Sequence, residues 1–135
     1  MTSTNVEIVR TIYRAFETGD MAGFSAALAP DIVWNEAENY PYADRNPYVG
    51  AQAIMEGVFA RTAQDFDGFA VSMTDLIDGG DRVVALGRYT GTSRITGAPL
   101  DVQAAHVWRL ADGKVVRFQQ HIDTLGTART MGRAG

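Results

Sequence analysis

Near its start the chain places apolar residues at helical spacing, and in its second half it alternates them. Val6, Val9, Ile12, Tyr13 and Phe16 recur at three- and four-residue steps behind Thr4 and Glu7, which have the spacing of a capping box. That helix ends at Glu17-Thr18-Gly19-Asp20. Asp20 caps a second helix over Met21–Ala29, with Phe24 and Leu28 on one side, and Pro30-Asp31 stops it. Ile32–Glu36 reads as a short strand leading into a polar loop, Ala37–Gly50, and Ala51–Arg61 as a third helix carrying Ile54, Val58 and Phe59. Strands follow over Gly68–Ile77, Arg82–Thr92, Leu100–Leu110 and Lys114–Asp123, joined by turns at Asp78-Gly79-Gly80-Asp81, Gly97-Ala98-Pro99 and Asp112-Gly113. Helices first and antiparallel strands afterwards make an α+β pattern, a curved sheet with helices against one face. We expect one domain over residues 1–135, with a core of 4–126 and a short helical turn and loose end after Thr124.

The stretch Ala105–Gly126 organises the functional reading. Asp112-Gly113 is a type I′ hairpin signal, because both residues tolerate the positive φ that such a turn needs. With those two residues in the turn, Ala111 faces Lys114, His106 faces Gln119 and Val102 faces Asp123. Side-chain alternation then puts His106, Trp108, Arg117, Gln119, His121 and Asp123 on one face. Ala105, Val107, Val116, Phe118, Gln120 and Ile122 take the other. A slip of one residue in the pairing would part His106 from His121 and Asp123.

Composition narrows the function classes. The chain has 46% apolar and 21% charged residues, as in an ordinary globular protein. A net charge of −4 argues against a nucleic-acid partner. The absence of cysteine excludes disulfides, a thiol nucleophile and a Cys-ligated zinc. No apolar run approaches the ~18 residues of a membrane span. The N-terminus lacks the basic and apolar regions of a signal peptide, and a cytoplasmic location is expected.

Asp123 and His121 lie two apart on one strand with His106 on its neighbour, an arrangement that suits proton abstraction beside a carbonyl. The plainer account is that Asp123 caps the C-terminal turn through Thr124 and His121 bonds to it. The same three side chains are the inventory of a two-histidine, one-carboxylate metal site, but the spacing is common by chance and no metal is expected. Trp34 and Glu36 alternate on one face of the first strand: Trp34 is either core or ligand clamp, and Glu36 either a second acid/base or a solvated carboxylate. Tyr40, Tyr42 and Tyr48 either cover a pocket or cover the sheet edge, and Phe16, Met55, Phe59 and Tyr89 serve as apolar lining or as core. Arg117 is placed at the outer rim.

The segments YRAFETGD, FSAALAPDIVW, WNEAENYPY, YVG and HVWRLADGKVVRFQQHIDT resemble the nuclear transport factor 2 superfamily, and within it SnoaL-like and ketosteroid-isomerase-like proteins, over roughly residues 4–126. The resemblance implies a conical α+β barrel with an internal pocket and a homodimer through the outer sheet face. It also implies a last-strand carboxylate as acid/base, a position matched by Asp123, and a pocket histidine on the preceding strand, matched by His106. Ketosteroid isomerase pairs an Asp base with a Tyr and a protonated Asp; Tyr13 is the candidate phenol here, and no second Asp stands at a matching position.

The first expectation is therefore a cofactor-independent acid/base enzyme acting on an apolar carbonyl-type or polyketide-like molecule. Asp123, His106 and His121 would be its catalytic groups, and Trp34, Glu36, Gln119, Tyr13, Phe16, Phe59, Tyr40 and Trp108 its ligand contacts. A non-catalytic ligand-binding module and a dimeric interaction domain of the same fold are the alternatives. The enzyme requires its polar groups around one ligand position, the binder only a pocket of roughly 300–1,000 Å³, and the interaction domain a filled pocket with an exposed apolar patch.

Overall fold

The computed structural model describes residues 4–133. Helix α1 (Thr4–Thr18) buries Val6, Val9, Ile12 and Tyr13, the face its spacing predicts. Asp20 caps α2 (Met21–Ala26), its carboxylate accepting from the Gly23 N–H at 2.9 Å. The second helix is shorter than expected, because β1 (Leu28–Asn35) takes over at Leu28 and carries Pro30 and Asp31 in an irregular stretch. Proline has no N–H to give a ladder, and it sits where the pairing skips.

The polar loop is built, not open. A 3₁₀ turn over Pro41–Arg45 and the two-residue strand β2 (Tyr48–Val49) fold it back against β1. The third helix is α3 (Ala51–Ile54), a π-helical turn over Met55–Phe59 and α4 (Ala60–Asp65), with helical backbone angles at both junctions. Gly57 lies in that π turn because a Cβ there would run into the Tyr48 ring.

Four long strands follow, β3 (Phe66–Asp78), β4 (Arg82–Ser93), β5 (Pro99–Ala111) and β6 (Lys114–Ile122), and α5 (Thr124–Thr130) is the last element among the described residues. The sheet order is β2-β1-β6-β5-β4-β3, antiparallel throughout except where β1 runs parallel to β6. The sheet is mixed and does not close on itself, so the expected barrel is an open, helix-covered sheet. The core joins α1, α2 and the third helix to the inner face, at Val83, Ala85, Trp108 and Phe118 among others. At the opposite end Met131, after α5, packs with Leu100 and Val102, so residues expected to be a loose tail are buried there.

The hairpin turn is as expected, and the register beyond it is not. Asp112 and Gly113 both have positive φ, 51° and 77°, and Ala111 faces Lys114. Leu110 then pairs with Val115 but Arg109 with Arg117, leaving Val116 as an extra residue in β6. From there His106 faces Gln120 and Ala105 faces His121. Phe118, Gln120 and Ile122 therefore share the inner face with His106 and Trp108, while Arg117, Gln119, His121 and Asp123 do not.

Asp123 directly follows β6 and caps α5, accepting from the Gly126 N–H at 2.9 Å. Replacing Asp123 with Ala is expected to lower the unfolding free energy by about 1 kcal/mol, read by denaturant titration, whereas Asn, an equally good cap, leaves it near the wild-type value.

Candidate active site

Helices and inner sheet face enclose a cavity of about 470 Å³. Phe16 of α1, Trp34 of β1, Phe59 of the π turn, Phe69 of β3 and Val58 give it apolar walls. Its buried polar groups are Glu36, Tyr40, Thr62, Tyr89, His106 and Gln120. The exposed Glu17, Ala63, Ala70 and Ser72 mark the opening.

A buried polar group costs free energy unless it is bonded, and Tyr89, His106 and Gln120 bond to one another. His106, 2% exposed, contacts the Tyr13 hydroxyl through Nδ1 at 2.6 Å and the Tyr89 hydroxyl through Nε2. Trp108 Nε1–H donates to the Tyr13 oxygen at 2.8 Å, and Gln120 Nε2–H donates to the Tyr89 oxygen at 3.1 Å. Gln120 is itself held by the Ala37 N–H, which donates to its Oε1 at 3.0 Å. Burial, with a smaller push from His121, drives the His106 pKa down to about 3, so the imidazole is neutral at physiological pH. Burial also raises Tyr13 and Tyr89, keeping both phenols protonated.

Glu36 stands apart from that network. It is 2% exposed, and its Oε2 accepts from Trp34 Nε1–H at 3.2 Å. Its Oε1 is buried with no hydrogen-bond partner among the described residues. Desolvation lifts its pKa from 4.5 to about 7, against smaller downward pulls from the Trp34 hydrogen bond and the Arg61 charge. The backbone around it is pinned by Asn46, whose Oδ1 accepts the Glu36 N–H at 3.0 Å and whose Nδ2–H donates to the Glu36 C=O at 2.8 Å. Arg61 ties the rest of the loop to α4. Its guanidinium makes paired bonds to Asp44 at 2.8 and 3.0 Å, reaches the Tyr48 hydroxyl at 2.7 Å and lies 4.8 Å from the Tyr42 ring centre.

Of the residues singled out in the sequence, Trp34, Glu36, Phe16, Phe59, Tyr40 and His106 line the cavity. Tyr13 and Trp108 stand one layer behind, bonded to His106 and to each other. Met55 is not among the lining residues. Of the loop tyrosines, Tyr40 faces the cavity while Tyr42 and Tyr48 bond into the Arg61 cluster. Asp123, His121 and Gln119 are corrected to positions outside the cavity. The Val116 bulge turns Gln119 and His121 to the outer face, and Asp123 is engaged as the α5 cap. The His106, His121 and Asp123 trio is thus not brought together. Among the described residues no cluster of three His, Cys, Asp or Glu is placed to hold a metal ion.

Sequence reasoning missed Gln120, assigned to the wrong face, and gave Tyr89 only an apolar role. A signal for Tyr89 was present in Gly87-Arg-Tyr-Thr-Gly91. Glycines two residues either side in a strand mark close backbone approach. Here a Cβ on Gly87 would strike the Ser72 carbonyl and Met73, and one on Gly91 would crowd the Phe69 backbone at 3.2 Å. β3, the antiparallel neighbour of β4, therefore lies close against both glycines, and Tyr89, paired with Val71, is the large side chain set between them.

An α+β fold with an internal, polar-floored cavity of this topology defines the NTF2-like, ketosteroid-isomerase-like class. Residues 9–118 match the model of the SnoaL-like domain, and the chain belongs to that family. The family includes isomerases and cyclases. The fold is similar to that of an NTF2-like protein from Burkholderia thailandensis E264, with 39% identity, a TM-score of 0.90, and 97% and 98% of the two chains covered. It is also similar to an NTF2-like protein of unknown function from Burkholderia pseudomallei K96243, at 29% identity, TM-score 0.87, with 96% and 98% covered. A third similar structure is TerC co-crystallised with polyporic acid, at 25% identity, TM-score 0.86, with 96% and 99% covered. No curated protein matches the chain in sequence. No helix among the described residues is long and apolar enough to cross a membrane.

The raised Glu36 pKa makes a signed prediction. The folded chain holds this proton to a higher pH than the unfolded chain does, so its contribution to stability is full below pH 4.5 and is lost as pH rises through about 7. Between pH 5 and 8.5 the wild type should therefore lose roughly 3 kcal/mol relative to Glu36→Gln, measured by denaturant unfolding of both proteins across that range.

Proposed function

We propose that the chain is an acid/base enzyme that moves a proton on a mostly apolar carbonyl compound, with Glu36 as the base. The observation that carries this reading is the unpartnered Glu36 Oε1, buried in the cavity on a carboxyl whose pKa is about 7. A base poised near the working pH is half ionised and can both take and return a proton. The ionised carboxylate removes a proton from the carbon next to the carbonyl. The electron pair of that C–H bond passes to the carbonyl oxygen, which lies against the Tyr89–Gln120 end of the network. Return of the proton from Glu36 to a different carbon completes an isomerisation. Phe16, Trp34, Phe59 and Phe69 hold the apolar body of the ligand and keep water out.

The family's isomerases and cyclases support this class of chemistry, and the polyporic acid bound to TerC supports a cyclic organic ligand. The cavity lies within the usual size of small-molecule sites, roughly 300–1,000 Å³. A simple sequestering module would need the apolar walls but not an unpaired carboxyl, whose burial is costly.

The assay is the conversion of 3-cyclohexen-1-one to its conjugated isomer, followed by ultraviolet absorbance. Wild-type protein is expected to accelerate it, and Glu36→Gln to lose about 10²-fold or more of that rate without loss of folding. Wild-type rates in the variant would remove Glu36 as the base. A wild type inactive on this ketone, but purified with a stoichiometric apolar molecule found by mass spectrometry after denaturation, would favour the binding module.

The same reading assigns the outer sheet face to a second copy of the chain. Phe118 and Ile122, expected on that face, point inward, so its apolar part is Leu86, 36% exposed, and Ile77, 48% exposed, with Val84, Ala105 and Val107 half-buried around them. Light scattering is expected to find a dimer for the wild type and a monomer for Leu86→Asp; a wild-type monomer would sink the assignment.

A further inference from the structure

His106 touches two phenols, and the number of protons available to the three groups is fixed. Trp108 Nε1–H, which can only donate, gives its proton to the Tyr13 oxygen. The Ala37 N–H donates to Gln120 Oε1, so the amide orientation is set and Gln120 Nε2–H donates to the Tyr89 oxygen. Between Tyr13 and Tyr89 a neutral imidazole makes two hydrogen bonds, one at each nitrogen. Two phenolic protons and one imidazole proton are present for those two bonds. One proton is left over, and it must sit on Tyr13 or on Tyr89.

The surroundings of the two phenols decide which. Tyr13 is boxed in by the rings of Phe16, Trp108 and His106, and among the described residues its hydrogen bonds are those to Trp108 and His106 alone. A surplus proton there would be a buried donor without an acceptor, which proteins avoid. Tyr89 lines the cavity, where its surplus proton meets whatever is bound. If both nitrogens carried protons, each phenol would have one to spare, and the Tyr13 proton would again be orphaned. Burial of the ring disfavours that charged state.

We propose that His106 is a positioning residue, held as the Nε2–H tautomer, which orders the chain from Tyr13 O–H to Nδ1 and from Nε2–H to the Tyr89 oxygen, so that the Tyr89 hydroxyl proton points into the cavity. The Tyr89 oxygen accepts two N–H bonds, from His106 and Gln120, and this strengthens it as a donor. The proposal deepens the acid/base reading and rests on it in one respect, the cavity being the working site. It names the end group of the ligand. At Tyr89 the ligand presents an acceptor oxygen, such as a carbonyl or enolate, and an ammonium group, which has only donors, finds no partner there.

The test needs no ligand. The chain has two histidines, so a long-range ¹H–¹⁵N correlation spectrum of the uniformly labelled protein at neutral pH shows two imidazoles. Its His121→Gln variant identifies the His106 signals. The expected result is a protonated-type nitrogen at Nε2 and an unprotonated, pyridine-type nitrogen at Nδ1. The reverse pattern, two protonated nitrogens, or averaged shifts of a tautomer mixture would each overturn the proposal. Turnover of 3-cyclohexen-1-one plays no part in this measurement, so a protein inactive on that ketone and purified with a bound apolar molecule, yet showing the expected tautomer, would overturn the enzymatic reading and leave the relay standing.

Discussion

Val116 has no partner on β5, and that single unpaired residue decides which side chains of the last strand face the interior. Without it, strand alternation would turn Phe118 and Gln120 outward and bring Gln119 and His121 in. With it, Phe118 stacks on Trp34, their ring centres 3.7 Å apart, and Gln120 reaches both Tyr89 and the Ala37 backbone. The aromatic core and the polar floor of the cavity are both consequences of this one insertion. Bulges of this kind re-aim side chains next to functional sites while leaving the flanking ladder intact.

The floor of the cavity shows how polar groups survive away from water. Tyr13, Tyr89, His106, Trp108 and Gln120 form one connected network, each of its hydrogen bonds joining side chains of two different elements. α1 supplies one member, β4 another, β5 two and β6 the fifth. The network therefore also locks the first helix to the sheet. Glu36 is the exception, since half of its carboxyl is bonded and half is bare. The rest of the structure holds it in place through Asn46 and the Arg61 cluster, and does not neutralise it. Groups left unsatisfied by an otherwise well-bonded interior are where function is expected to reside.

The element order, the hairpin turn and the helical faces could be read directly from residue spacing, because they depend on local geometry. Asp112-Gly113 specified its turn through backbone φ alone. Which face of β6 looks inward depended on a bulge that no local signal announced: Val116 and Arg117 read as ordinary strand residues. The error then propagated to Gln119, His121 and Asp123, since a shift of one residue reverses every side chain beyond it. Asp123 was open to both accounts in the sequence, and its Asp-x-x-Gly spacing to Gly126 belongs to the capping one. Glu36 could be placed on the correct face but not judged buried, because its burial comes from loop 37–50 folding back across the strand end.

The cavity is assembled from parts that differ in how freely they can change. Its polar floor is shared among strands and α1 and cannot be altered at one position without stranding a partner. Its lip is made by Ala63, Ala70, Ser72 and Glu17, exposed side chains that carry none of the network's hydrogen bonds. Enlarging, shrinking or recharging that lip would leave the interior chemistry untouched while changing which molecules can enter. The same inner machinery can thus be offered to ligands of different length and bulk, with selection at the doorway separated from reactivity at the floor.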